Sequence, residues 1–149
     1  MKSVDRILRT HPNSGTLPID DSNVASDALL ACIEACTICA DACLAEPQLE
    51  KLRRCIRANQ DCADICDATL RLIARHTGTV AEMVRQQLHA CIMACQLCAE
   101  ECDLHELEHC RMCADACRRC QEACNRLLGQ ISSSGTIPAD PLESPPMGA

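Results

Sequence analysis

Phenylalanine, tyrosine and tryptophan are all absent from the 149 residues. A domain of this length ordinarily packs its interior around several large rings, so something else must fill the core. Long apolar runs are missing too. No segment approaches the roughly 18 apolar residues that a membrane-crossing helix needs, which argues against a membrane partner. The opening stretch MKSVDRILRTHPNSGTLPIDDS contains no apolar run of about seven or more, no twin arginine and no small-residue cleavage site. Export is therefore not expected, and the cytoplasm is the default compartment. No basic cluster offsets the formal net charge of −7, which disfavours nucleic acid as a partner. There is also no phosphate-cradling glycine loop, no nucleophile–base pair and no pair of carboxylates on a helix seam, so nothing asks for an enzyme.

What the chain has instead is sulfur. Its sixteen cysteines, about 11% of all residues, are the only candidates abundant enough to fill the interior. Such a fraction belongs to secreted disulfide scaffolds or to metal–thiolate proteins, and a reducing cytoplasm favours the second. The segment ACIEACTICADAC places thiols at Cys32, Cys36, Cys39 and Cys43, and ACIMACQLCAEEC repeats the pattern at Cys91, Cys95, Cys98 and Cys102. Steps of four, three and four follow the turn of an α-helix, so each set shares one face.

The punctuation predicts four helices. The first runs from about Asn23 to Ala45 and stops at Glu46-Pro47, because a residue before proline avoids helical geometry. Pro47 suits the first turn of the second, which runs to about His76, with Gly78 to close it. Thr79 and Glu82 form a capping box for the third, which ends near Cys102. Asp103 and Glu106 cap the fourth, which runs to about Gly129. Short connections make neighbouring helices antiparallel. The expected fold is all-α, an antiparallel up-down-up-down four-helix bundle over residues 22–130. Residues 1–21 read as an N-terminal arm or short extra helix, and 131–149, with four prolines and three consecutive serines, as a disordered tail.

Heptad positions say where the thiols point. Cysteine occupies only a and d: Cys32, Cys36, Cys39 and Cys43 on the first helix, Cys55, Cys62 and Cys66 on the second. Cys91, Cys95, Cys98 and Cys102 lie on the third, and Cys110, Cys113, Cys117, Cys120 and Cys124 on the fourth. All sixteen therefore face the bundle axis. Shifted by 59, the first helix's cysteines fall on the third's; shifted by 58, the second helix's fall on Cys113, Cys120 and Cys124. Two similar hairpins pack together. Asn59 stands where the fourth helix has Cys117, and Leu29, Ile73, Leu88 and Leu127 gather at one end as an apolar plug.

An inert cysteine core would pack poorly, and disulfides between i and i+4 on a helix would be strained. Bridges between helices are open to this sequence, as the alternative of a disulfide-stapled helical protein, but a reducing compartment opposes them. Soft metals remain: Cu(I), Zn(II) or iron–sulfur clusters. A zinc held by four thiolates carries a local charge of about −2, and several stacked in an apolar bundle would repel. Iron–sulfur clusters need a compact run of four cysteines that this chain lacks. Cu(I) shared between bridging thiolates replaces one proton per thiol and leaves the core neutral. Thiols one turn apart also suit a two-coordinate ion.

ACIEACTICADAC, ACIMACQLCAEEC and HCRMCADACRRCQEAC together resemble the cytosolic copper storage proteins of bacteria, over residues 23 to about 130. The resemblance implies cysteine-lined four-helix bundles that store many Cu(I) ions and assemble into homotetramers. Exported relatives carry a signal peptide, so the N-terminus fits the cytosolic branch. The partners expected are copper ions, further copies of the chain and a copper chaperone.

His105 and His109 sit at the turn before the fourth helix, beside Cys102 and Cys110. That end lacks the plug, so copper is expected to enter there, with His109 as an additional ligand. His11, His76 and His89 fall outside the seam and are expected at the surface, as are Met93 and Met112 on outer positions. Asn59 faces inward, where it can hydrogen-bond a thiolate or a carbonyl, or fix helix register.

Overall fold

The computed structural model of the protein describes residues 3–12, 17–76 and 79–134. Five α-helices follow in order: α1 (Ser3–Arg9), α2 (Ile19–Leu44), α3 (Arg53–Ala74), α4 (Ala81–Asp103) and α5 (Glu108–Ser134). There is no strand among the described residues. α2 packs on α3 and α5, and α4 packs on α3 and α5, which closes a square of antiparallel neighbours. This is the four-helix bundle expected, built of the hairpins α2–α3 and α4–α5.

The helix ends depart from expectation in instructive ways. α2 starts at Ile19, a turn before Asn23, because the Ser22 N–H already bonds the Pro18 carbonyl at 2.9 Å. Asp20 and Asp21 then fall in the first turn, where they complement the helix dipole. Pro47 does not open a helix. A 3₁₀ turn at Leu49–Leu52 intervenes before α3 begins at Arg53. The Thr79–Glu82 box does not form: α4 is preceded by Val80, with no side-chain cap. The Thr79 hydroxyl instead donates back to the His76 carbonyl at 3.3 Å, and the Glu82 carboxylate accepts from Gln86 at 2.9 Å. Asp103 caps nothing either, since it ends α4 and pairs with Arg118 on α5. The Leu104 N–H reaches the Glu101 carbonyl at 3.2 Å, and α5 waits until Glu108. α5 also passes Gly129 and runs to Ser134, because Ile131 extends its buried face. The proposed closure at Gly78 and the tail from 135 onward lie outside the described residues.

Cysteine is the core. All sixteen cysteines are buried, none more than 1% exposed. The largest fully buried side chains, Leu29, Ile73, Leu88, Leu127 and Ile131, gather at the end where α2 and α4 begin and α3 and α5 finish, and form the expected plug. At the opposite end Leu52 is 3% exposed. It occupies the repeat position of Cys110, so one flank of that end is apolar rather than open.

His76 corrects a surface expectation. It is 1% exposed, and the His11 ring approaches to 6.0 Å between centroids. His11, two residues past α1, thus lies at the plug end, and Leu17 is buried as well. His89 and the two methionines, Met93 and Met112, are exposed as expected. Burial, and after it the charge of His11, holds the His76 imidazole below its ordinary value. The folded state thus refuses a proton that the unfolded chain accepts near pH 6.5. Stability is therefore full above that pH and falls as pH drops toward the folded-state value. The urea midpoint of the metal-free protein is expected to decline between about pH 7 and pH 5.5, and His76→Gln to flatten that decline.

Candidate metal centre

Each bundle helix brings its thiols inward because a step of three or four residues returns to the same face. The result is a tube of sulfur. Cys32 on α2 approaches Cys117 at 3.7 Å and Cys62 at 3.8 Å, so one sulfur touches both neighbouring helices. Cys36 meets Cys113 and Cys117 at 3.7 Å and Cys98 at 3.9 Å. Cys66 meets Cys91 and Cys95 at 3.8 Å, and Cys55 meets Cys102 at 3.6 Å. These separations are non-bonded contacts, far beyond the roughly 2.05 Å of a disulfide. All sixteen thiols are free.

The contacts resolve into overlapping quartets whose ligand atoms all lie within 4.8 Å of one another. From the plug end these are Cys66, Cys91, Cys95 and Cys120; then Cys32, Cys62, Cys66 and Cys95; then Cys32, Cys36, Cys62 and Cys117; then Cys36, Cys98, Cys113 and Cys117. Adjacent quartets share residues, so a thiolate in one can bridge to the next. Sequence reasoning placed each sulfur on the axis but built its ladder along single helices. Along a helix, Cys32–Cys36 and Cys62–Cys66 are both 3.9 Å apart, while several pairs between helices are shorter. The unit is therefore a cluster across helices.

Asn59 sits inside the tube, fully buried. Its Oδ1 accepts from Cys98 Sγ at 3.0 Å, Cys113 Sγ at 3.2 Å and Cys102 Sγ at 3.6 Å. Its Nδ2 donates to Cys55 Sγ at 3.8 Å. The amide thus binds thiols, the first of the roles open to it from sequence.

At the other end a histidine joins the sulfurs. His109 Nδ1 lies 3.3 Å from Cys39 Sγ and 3.7 Å from Cys110 Sγ. Cys39, Cys43, Cys110 and His109 form a further quartet. His109 Nε2 lies 3.0 Å from Glu46 Oε1, which aims Nδ1 at the thiols. This carboxylate was missed in the sequence. Its only signal was the Glu46-Pro47 stop, which turns the chain across the mouth. His105 is placed differently, with Nε2 3.6 Å from Glu101 Oε1. A cavity beside this end is lined by Glu46, Lys51, Leu52, His105, Glu106 and Leu107.

The electrostatics of the metal-free tube oppose a full set of thiolates. Burial, then the charge of Cys55, pushes the Cys43 thiol up to about 11, and the same causes raise Cys110. These two sulfurs hold their protons until a cation arrives to replace them. A soft monovalent ion does so at no net cost in charge, which suits it to this interior.

A family model described as copper storage protein matches residues 20–129. No curated protein sequence matches the chain. Among solved structures, the chain is similar to the copper storage protein Ccsp from Streptomyces lividans loaded with 10 copper equivalents, at 45% identity and TM-score 0.82, covering 85% of this chain and 98% of that one. It is similar to a cytosolic copper storage protein from Streptomyces lividans holding five coppers, at 46% identity and TM-score 0.73, covering 74% and 93%. It is also similar to Cu(I)-bound copper storage protein BsCsp3, at 30% identity and TM-score 0.66, covering 72% and 98%.

Proposed function

The chain belongs to the copper storage protein family, and from that premise we propose how its own residues hold the metal. The protein stores multiple Cu(I) ions on cysteine thiolates inside a four-helix bundle. Its sixteen cysteines are the ligands in this reading, and His109 joins Cys39, Cys43 and Cys110 at the mouth. The observation that carries it is the run of quartets that share sulfurs along the axis. Each Cu(I) entering such a run displaces a proton to water and is passed between thiolates without building charge. The interior needs no catalytic group for this, and the function is storage and detoxification rather than turnover. A cytosolic location belongs to the same reading, as for the Streptomyces lividans relative.

His109 is the first ligand that an arriving ion meets, because it is the partly exposed member of the mouth quartet. His109→Ala is expected to slow uptake of the first copper equivalents by about tenfold, the lower end of what losing a metal-site group costs. Final capacity should fall by no more than about one ion per chain. Stopped-flow ultraviolet absorption of the copper–thiolate bands checks both, and an unchanged rate would place the mouth elsewhere.

Assembly into a homotetramer is carried as part of the proposal. Met93 and Leu97 on the outside of α4 and Leu104 just past its end stand 62%, 56% and 72% exposed, an apolar stripe suited to contact with further copies. Light scattering of the solution species decides it. Delivery by a copper chaperone fits the acidic residues Glu46 and Glu106 that line the mouth-end cavity, and a defined donor protein would be needed to test it.

A further inference from the structure

We propose that the mouth is also a zinc site, in which Cys39, Cys43, Cys110 and His109 take one Zn(II) when Cu(I) is absent. The four interior quartets described above consist of sulfur alone, whereas this one is a Cys3His set. Cys3His is a common donor set for four-coordinate zinc. A tetrahedral ion with bonds of about 2.3 Å to sulfur holds its ligand sulfurs about 3.8 Å apart, and nitrogen somewhat closer. Cys39 and Cys110 are 3.8 Å apart, and His109 Nδ1 stands 3.3 Å and 3.7 Å from them. These three ligand atoms already stand close to the edge lengths of such a tetrahedron, and Cys43 Sγ lies within 4.8 Å of each of them.

Charge separates this site from the interior. Zinc with four thiolates leaves about two negative charges in a sulfur tube sealed from water, whereas three thiolates and an imidazole leave about one. That single charge lies where the His109 and Glu46 side chains are 24% and 29% exposed, so water reaches the shell. Glu46 completes the arrangement. Its carboxylate takes the Nε2–H of His109 at 3.0 Å, which leaves the Nδ1 lone pair for a metal and raises its basicity. Zn(II) binding releases the three thiol protons to solvent and moves no electrons. Cu(I), which prefers thiolate more strongly, then displaces the zinc. A zinc ion at the mouth would tie the outermost sulfurs together until copper arrives.

The inference is independent of how many copper ions the tube holds. The test titrates the reduced, metal-free protein with Zn(II) against a chromophoric chelator, then examines the zinc by X-ray absorption. One zinc per chain with three sulfur neighbours and one nitrogen is expected. His109→Ala and Cys43→Ser should each weaken it by about tenfold or more, and His89→Ala, on the outer surface, should change nothing. Circular dichroism of each variant shows that the bundle is intact. Addition of Cu(I) should release the zinc. A plateau of two or more ions, a shell of four sulfurs, indifference to His109→Ala, or no binding at all would each overturn the proposal.

Discussion

Titrated with Cu(I) against a competing chelator, the reduced protein is expected to bind up to about one ion per cysteine, releasing about one proton per ion. The magnitude follows from the contacts. Cys36 touches four other sulfurs within 3.9 Å, so each thiolate can serve two coppers and each copper can take two or more thiolates. Stability should change even more than occupancy. A site filled at a thousandfold excess over its dissociation constant adds about 4 kcal/mol, whereas a whole domain is held by only about 5–15 kcal/mol. Three or four such sites, about 12–16 kcal/mol together, therefore rival the entire metal-free stability. The thermal midpoint should rise by tens of degrees, and the loaded protein should resist denaturant that unfolds the empty one. Lower pH should weaken uptake, because protons compete for raised thiols such as Cys43. A plateau at one or two ions, or an unmoved melting temperature, would end the storage reading.

The four-three-four rhythm of Cys32, Cys36, Cys39 and Cys43 carried most of the architecture, because burial on a helix is a matter of angular position alone. The same logic placed Asn59 and the four plug residues. What it could not carry was stagger. Whether Cys32 meets Cys62 or Cys66 across the bundle depends on how far α3 slides along α2, and the 3₁₀ turn at Leu49–Leu52 sets that. No local pattern announces such a turn. The caps failed for a related reason. Thr79 and Asp103 are good capping residues in isolation, but Thr79 closes the preceding segment and Asp103 is claimed by Arg118. His76 was misplaced because a residue beside it, His11, stands 65 positions away in the chain, which seam arithmetic cannot see. Glu46 went unnoticed because its partner lies 63 residues away.

Leu88→Ala should destabilise the metal-free protein by about 3 kcal/mol, within the roughly 2–5 kcal/mol typical of a large core truncation. The reason lies in what the empty core contains. A buried cysteine is a small hydrophobe with less apolar area than leucine or isoleucine, and there is no Phe, Tyr or Trp in the chain to compensate. The large apolar side chains with almost no exposure are Leu29, Ile73, Val84, Leu88, Leu127 and Ile131, all toward the plug end. Much of the hydrophobic drive to fold without metal is therefore concentrated there, and a cavity at Leu88 removes part of it. Copper capacity should survive, since Leu88 precedes the first thiol of α4 by three residues and touches the tube only at its closed end. Loaded with Cu(I), the variant should melt close to the loaded parent, because thiolate bridges then join all four helices. Urea unfolding of both states reads the contrast. A metal-free loss below about 1 kcal/mol would mean that the cysteine tube itself holds the empty bundle together, and that the plug serves only to seal it.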